Sequence, residues 1–324
     1  MAQVKRETAG TALITGASSG IGRDYARYLA ARGYDLVITA RRAARLNALA
    51  KELEKGFDTK VTVIVADMAK PETPTKLAAE VKKKKIQIDY LVNNAGYGVA
   101  AKFNKSKWQM QQDMIQVMLT GLTELAHLFG AEMVKRGHGS IVNVASVAAY
   151  LPGTPGNTLY APIKAYVKVF SQSLYREMRP MGVNVVALCP GFTHSEIHDV
   201  AGARSAVNRI PGFMWLDGPR VVRDAHVAVI QGKGPVVING GIYSLLASIV
   251  STLPDNLITL AGSKKSKKAE KPKAPTKSKA ASKTKKAPAK KPATKKAAPK
   301  KAAAKKPAAK KTAAKKPARK AAKK

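Results

Sequence analysis

Seven short apolar runs alternate with stretches of helical periodicity over the first 240 residues: Ala12–Thr15, Leu36–Thr39, Val61–Val65, Tyr90–Val92, Ile141–Val144, Val183–Leu188 and Val236–Ile238. Most are continuous runs without the polar alternation of a sheet with one wet face, so both faces must be covered. Strands separated by helices in this way predict an α/β fold, a doubly wound parallel sheet of about seven strands with helices on both sides. The helical stretches fall near 20–32, 42–55, 73–84, 106–135, 159–179 and 219–231. Pro162 suits the first turn of the fifth, where its missing N–H would have had no partner.

The pattern stops well before the chain does. Residues 263–324 hold 27 of the 58 Lys and Arg but only one of the 20 acids, Glu270, so they carry +26 of the net +38. They contain no aromatic residue and no Val, Ile, Leu or Met. Nothing there offsets the entropy of ordering a backbone, and a disordered tail is expected. Residues 1–262 are therefore read as one domain with a large core, and 263–324 as the tail. A single cysteine, Cys189, excludes an intramolecular disulfide framework and suits a reducing compartment such as the cytoplasm. The N-terminus has no secretory h-region, and the apolar stretch 242–253 is too short to span a bilayer.

Directly after the first strand comes Thr15-Gly-Ala-Ser-Ser-Gly-Ile-Gly22, with Gly16, Gly20 and Gly22 leading into an amphipathic helix. Glycines at these positions let the backbone approach a pyrophosphate at a helix N-terminus, with Ser18, Ser19 and Ile21 alongside. Such a site usually has an acid at the end of the second strand to hold the adenosine ribose. Ala40 stands there, followed by Arg41 and Arg42, whose guanidinium groups suit a 2′-phosphate; NADP(H) is therefore preferred over NAD(H). Arg42 has the alternative of simply opening the next helix in water. Asp67, closing the third strand, is positioned to accept from the adenine amino group or to cap the following turn.

This loop, Asn93-Asn-Ala-Gly96 after the fourth strand, Ser146 after the fifth, Tyr160-x-x-x-Lys164, and Pro190-Gly191 after the sixth occur in one order, each at the end of the right strand. Over roughly residues 10–240 the chain resembles the short-chain dehydrogenase/reductase family. The resemblance implies hydride transfer between a nicotinamide and a ketone or secondary alcohol. Ser146 would hydrogen-bond the substrate oxygen, Tyr160 would act as general acid or base, and Lys164 would hold the nicotinamide ribose. Asn93, Ala95 and Gly96 would shape the cofactor pocket, with Pro190, Gly191 and Thr193 beside the carboxamide. Tyr160 and Lys164, four apart on a helix, share a face, so the ammonium is expected to lower the phenol's pKa. One departure stands out: Met118 occupies the place where the family usually has a water-positioning asparagine, and a thioether is a poor substitute. A core role for Met118, with protons taking another path, is favoured over lost activity. If activity is lost, the alternative is a nucleic-acid- or polyanion-binding protein whose reductase domain serves as cofactor sensor or scaffold.

A lid at about 192–218 contains Phe192, Ile197, Ile210, Phe213, Met214, Trp215 and Leu216, which predicts an apolar or lipid-like substrate. His194 and His198 lack a third ligand at matching spacing, so no metal is expected. The apolar extension at 242–260 is able to seal the pocket, join subunits or rest on a membrane. The family resemblance suggests a dimer or tetramer through the helices at 106–135 and 159–179. The tail's Ala-Ala-Lys-Lys-Pro units resemble lysine-rich linker-histone tails. Non-specific binding to nucleic acid is the favoured expectation, and it would hold the chain at the nucleoid. Anionic lipid or another polyanion, or a tail for solubility, remain open.

Overall fold

A computed structural model describes residues 9–253, apart from 100, 154–157, 197–207 and 209. The chain divides into two units, Met1–Glu270 and Lys271–Lys324, the second wholly outside the described residues. The predicted tail, the extension past 253, Pro155, Gly156 and the lid residues Ile197 and His198 also lie outside them.

Seven strands form one parallel sheet: β1 (Thr11–Thr15), β2 (Asp35–Ala40), β3 (Val61–Val65), β4 (Tyr90–Asn93), β5 (Gly139–Val144), β6 (Val183–Cys189) and β7 (Val236–Ile238). Their order is β3-β2-β1-β4-β5-β6-β7. The helices are α1 (Gly20–Ala30), α2 (Ala43–Gly56), α3 (Thr73–Lys83), α4 (Trp108–Ile115), α5 (Gly121–Arg136), α6 (Tyr160–Met178), α7 (Gly218–Ile230) and α8 (Gly241–Thr252). A π-turn, Gln116–Thr120, joins α4 to α5, so the single helix expected at 106–135 is interrupted at its middle.

The continuous apolar runs serve two cores at once, because successive strand residues point to opposite faces. Ile14, Ile38, Val92, Val144 and Leu188 pack against α1, α2 and α7, through Tyr25, Leu29, Leu46, Val221 and Val222. Leu13, Val37, Leu91, Ile141, Val185 and Cys189 pack on the other side with Leu77, Leu125, Phe129, Ile163 and Val167 of α3, α5 and α6. Cys189 is fully buried and acts as a small apolar residue. The helical stretch Trp108–Arg136 is long and apolar enough to cross a bilayer, but half of its apolar window lies inside the protein. Its apolarity is accounted for by the second core.

Chain direction reverses its lateral course between β1 and β4, the strands that part to either side of the sheet. At such a switch point the loops at the carboxyl ends diverge and leave a crevice. The glycine loop after β1 and the Asn93–Gly96 segment after β4 flank it.

Candidate active site

The crevice opens into a cavity of about 770 Å³. Gly16, Ser18, Ser19, Gly20, Ile21, Arg41, Arg42, Asp67, Ala95, Gly96, Ser146, Tyr160, Lys164, Pro190, Gly191 and Thr193 all line it. Two residues expected at the site do not. Asn93 is buried behind the wall, with Nδ2 donating to Asn143 Oδ1 at 2.9 Å and to the Leu122 carbonyl at 3.3 Å. It is the last residue of β4 and its side chain turns toward α5. The next residue, Asn94, faces the cavity and donates to the carbonyls of Thr15 (2.9 Å) and Gly16 (3.4 Å), holding the glycine loop. Gly22 likewise lies outside the lining; a Cβ there would meet Asn94 Nδ2 and the Gly16 carbonyl, so its role is close packing of α1 on the loop.

The loop has the shape a pyrophosphate cradle needs. Gly16 has φ +68°, and a Cβ on it would come within 2.9 Å of the Ala95 Cα, a backbone approach that other residues resist. Ser19, the N-cap of α1, makes no capping bond. Its hydroxyl accepts instead from Arg42 Nη2 at 2.8 Å, while Ser18 Oγ accepts from Arg42 Nε and Nη2 at 3.2 and 3.0 Å. Arg42 therefore folds back over the loop rather than merely opening α2. Of the two alternatives set out for Asp67, the turn cap is present, with Oδ1 accepting from Ala69 N at 3.1 Å after β3; the residue also lines the cavity.

Ser146 follows β5 and N-caps a short turn, with Oγ accepting from Ala148 N at 3.1 Å. Its hydroxyl also stands close enough to Tyr160 to favour the ionised phenol. Burial raises the Tyr160 pKa, and the Ser146 hydroxyl offsets this in part. This corrects the expected lowering by Lys164. Although the two side chains share a helix face, Lys164 Nζ donates to the Val144 carbonyl at 2.7 Å and stands 5.7 Å from the Tyr160 ring centre. Lys164 is 5% exposed, and burial lowers its pKa from 10.5 to about 8. Met118, in the π-turn, is buried with Sδ against Gly96, where a Cβ would be only 2.9 Å away. It is a packing residue behind the cavity wall at Gly96, at the irregular helix geometry that functional sites often carry.

Beyond Tyr160 the wall turns apolar: Leu151, Phe192, Met214, Tyr243, Leu246, Ala247 and Val250. Of the predicted lid residues, Phe192 and Met214 line the cavity. Phe213 is 72% exposed, Trp215 stacks on His194 at 4.7 Å, and Leu216 packs against the first core. The wall residues on α8 were covered only by the open choice that the extension seals the pocket. Tyr243 ties them in, donating to the Met214 carbonyl at 2.6 Å and accepting from Phe192 N at 3.2 Å. The ends of the lid are joined by Leu216 N to the Phe192 carbonyl at 2.7 Å.

Comparison with known proteins agrees with this fold. A serine 3-dehydrogenase of Agrobacterium fabrum is 36% identical over 191 residues, 58% of this chain and 73% of that protein. Among solved structures, a short-chain dehydrogenase from Sphingobium yanoikuyae in complex with NADPH matches at TM-score 0.66 and 30% identity, over 83% of this chain and 98% of that one. The bulky-bulky ketone specific alcohol dehydrogenase of Comamonas testosteroni matches at TM-score 0.64 and 29% identity, over 84% and 98%. The family model described as short chain dehydrogenase covers residues 10–205, more than half of the chain, and with the strand order and the glycine loop already described, the chain belongs to the short-chain dehydrogenase family.

Proposed function

We propose that the protein is an NADP(H)-dependent oxidoreductase that interconverts an apolar ketone and its secondary alcohol, with Tyr160 as general acid or base. The observation that carries this reading is one continuous cavity in which the glycine loop, the Ser146–Tyr160 pair and an apolar wall follow one another. A bound dinucleotide would supply the hydride. Ser18, Ser19, Arg41 and Arg42 offer the donors a 2′-phosphate needs. Ser146 is placed to donate to a substrate carbonyl oxygen, and Tyr160 to deliver the proton that a reduced carbonyl takes up. Lys164, positively charged below pH 8, anchors on β5 and lines the cavity, where it would hold the nicotinamide ribose.

The substrate class rests on Phe192, Met214, Leu246 and Val250, which offer no charge to a polar substrate. The test is NADPH oxidation by the full chain across bulky apolar ketones and 3-oxoacyl thioesters, with serine oxidation by NADP⁺ as the polar comparison. Tyr160→Phe is expected to lower kcat by roughly 10²–10⁴-fold. Turnover unchanged in that variant, or serine preferred over every apolar ketone, would sink the proposal. NADPH binding without turnover of any substrate would favour the cofactor sensor.

The same proposal extends to partners. The +26 of residues 263–324 would hold the enzyme on nucleic acid by phosphate neutralisation, so association with duplex DNA should fall steeply with added salt. Binding to anionic vesicles but not DNA would redirect it to a membrane. Exposed Trp108 and Met110 on α4 and Val169 on α6 favour self-association through these helices, which sedimentation would report.

A further inference from the structure

The end of β2 lacks a carboxylate for an adenosine ribose, but the fold brings one in from elsewhere. Glu196, 154 residues along the chain from Arg42, accepts from Arg42 Nη1 at 2.9 Å. Its two oxygens also accept from Arg45 Nη1 at 2.6 and 2.7 Å. The preceding residue, Ser195, lies against the glycine loop, where a Cβ on Gly20 would come within 2.9 Å of the Ser195 Cβ. Glu196, Arg42, Ser18 and Ser19 line the same rim of the cavity. Each of the three guanidinium nitrogens of Arg42 thus has a protein partner: two on the serine hydroxyls and the third on Glu196.

We propose that Glu196 is the residue that sets discrimination at the 2′ position of the cofactor. This rests on the dinucleotide reading above. A 2′-hydroxyl needs an acceptor, and Glu196 is the carboxylate that this rim provides. A 2′-phosphate draws on Arg42 and brings negative charge toward Glu196, so it competes with the carboxylate for that guanidinium. Arg45 makes that exchange possible, since Glu196 keeps a guanidinium partner when Arg42 is withdrawn. The chain consequently accepts both cofactor types, with a preference for the phosphorylated one smaller than Arg41 and Arg42 alone would give.

The test is calorimetric titration of the full chain with 2′,5′-ADP and with 5′-ADP, which needs no turnover. Glu196→Gln is expected to tighten 2′,5′-ADP about five-fold, as when a partly exposed ion pair no longer has to be broken. It should also weaken 5′-ADP. Arg45→Ala should act in the opposite direction on 2′,5′-ADP, because Glu196 then has Arg42 as its only guanidinium partner among the described residues. An affinity ratio unchanged in Glu196→Gln, while Arg42→Ala still weakens 2′,5′-ADP, would overturn this role and leave the dinucleotide reading standing. Failure of the unaltered protein to bind either nucleotide would overturn both.

Discussion

Replacing Lys164 by methionine is expected to stabilise the protein while abolishing catalysis, and the effect should depend on pH in a defined way. Lys164 is 5% exposed and its ammonium has one bond, to the Val144 carbonyl at 2.7 Å. Burial lowers its pKa from 10.5 to about 8. At about 1.4 kcal/mol per pH unit, folding with the charged form buried costs about 3 kcal/mol. Methionine has nearly the same length and no charge, so it removes that cost; leaving the Val144 carbonyl without its donor returns about 1 kcal/mol. The variant should be about 2 kcal/mol more stable at pH 7. A lysine whose folded pKa is depressed carries its full penalty below pH 8 and sheds it between pH 8 and 10.5, where the unfolded chain still holds the proton. At pH 10 the gain should therefore have fallen to about zero. Equilibrium unfolding in urea at pH 7 and pH 10, with both proteins measured side by side, reads the difference directly. A variant less stable at pH 7, or a gap independent of pH, would refute the reasoning.

His226 is wedged among Tyr28, Tyr34 and Tyr90, and burial lowers its pKa to about 4. It folds neutral, so the protein should lose stability as pH falls from 6.5 through 4; His226→Phe should flatten that limb of a Tm-against-pH curve, and an unchanged limb would contradict the assignment. In Gly191→Ala the new methyl would meet the Tyr243 ring. Both Tyr243 hydrogen bonds should be strained, and KM for an apolar ketone should rise more than kcat falls; the reverse pattern would remove Tyr243 from the substrate wall. Met118→Asn puts an amide where a 1% exposed thioether packs on Gly96, and should cost about 1–3 kcal/mol by chemical denaturation. A kcat more than about tenfold above the wild type's would show that proton delivery does depend on this position.

The strands were legible because burial on two faces leaves a continuous apolar run, and Leu13 and Ile14 in β1 serve opposite cores. The site was legible wherever a motif stands at a strand end, as with Ser146 and Gly16. It was not legible where the outcome depends on direction or distance. Asn93 and Asn94 differ by one residue, and sequence does not say which turns outward when a strand ends. Spacing puts Lys164 beside Tyr160, but the main-chain carbonyl that captures its ammonium belongs to β5 and leaves no mark in side-chain pattern. The Arg42–Glu196 pair spans 154 residues with no periodicity to announce it. The π-turn at Gln116–Thr120 is a main-chain irregularity inside a helix whose apolar pattern runs on unbroken.

The placement of α8 has a consequence for how such a protein can diversify. The glycine loop, Ser146, Tyr160 and Lys164 all fall within the stretch that the family shares, residues 10–205, whereas Tyr243, Leu246, Ala247 and Val250 come after it. On the proposed function, the proton-transfer groups lie wholly inside the shared stretch, while the apolar wall is drawn partly from it, through Leu151 and Phe192, and partly from α8. If that function holds, a library confined to Leu246, Ala247 and Val250, which leaves Tyr243 and its bonds in place, should vary substrate range while proton transfer stays the same.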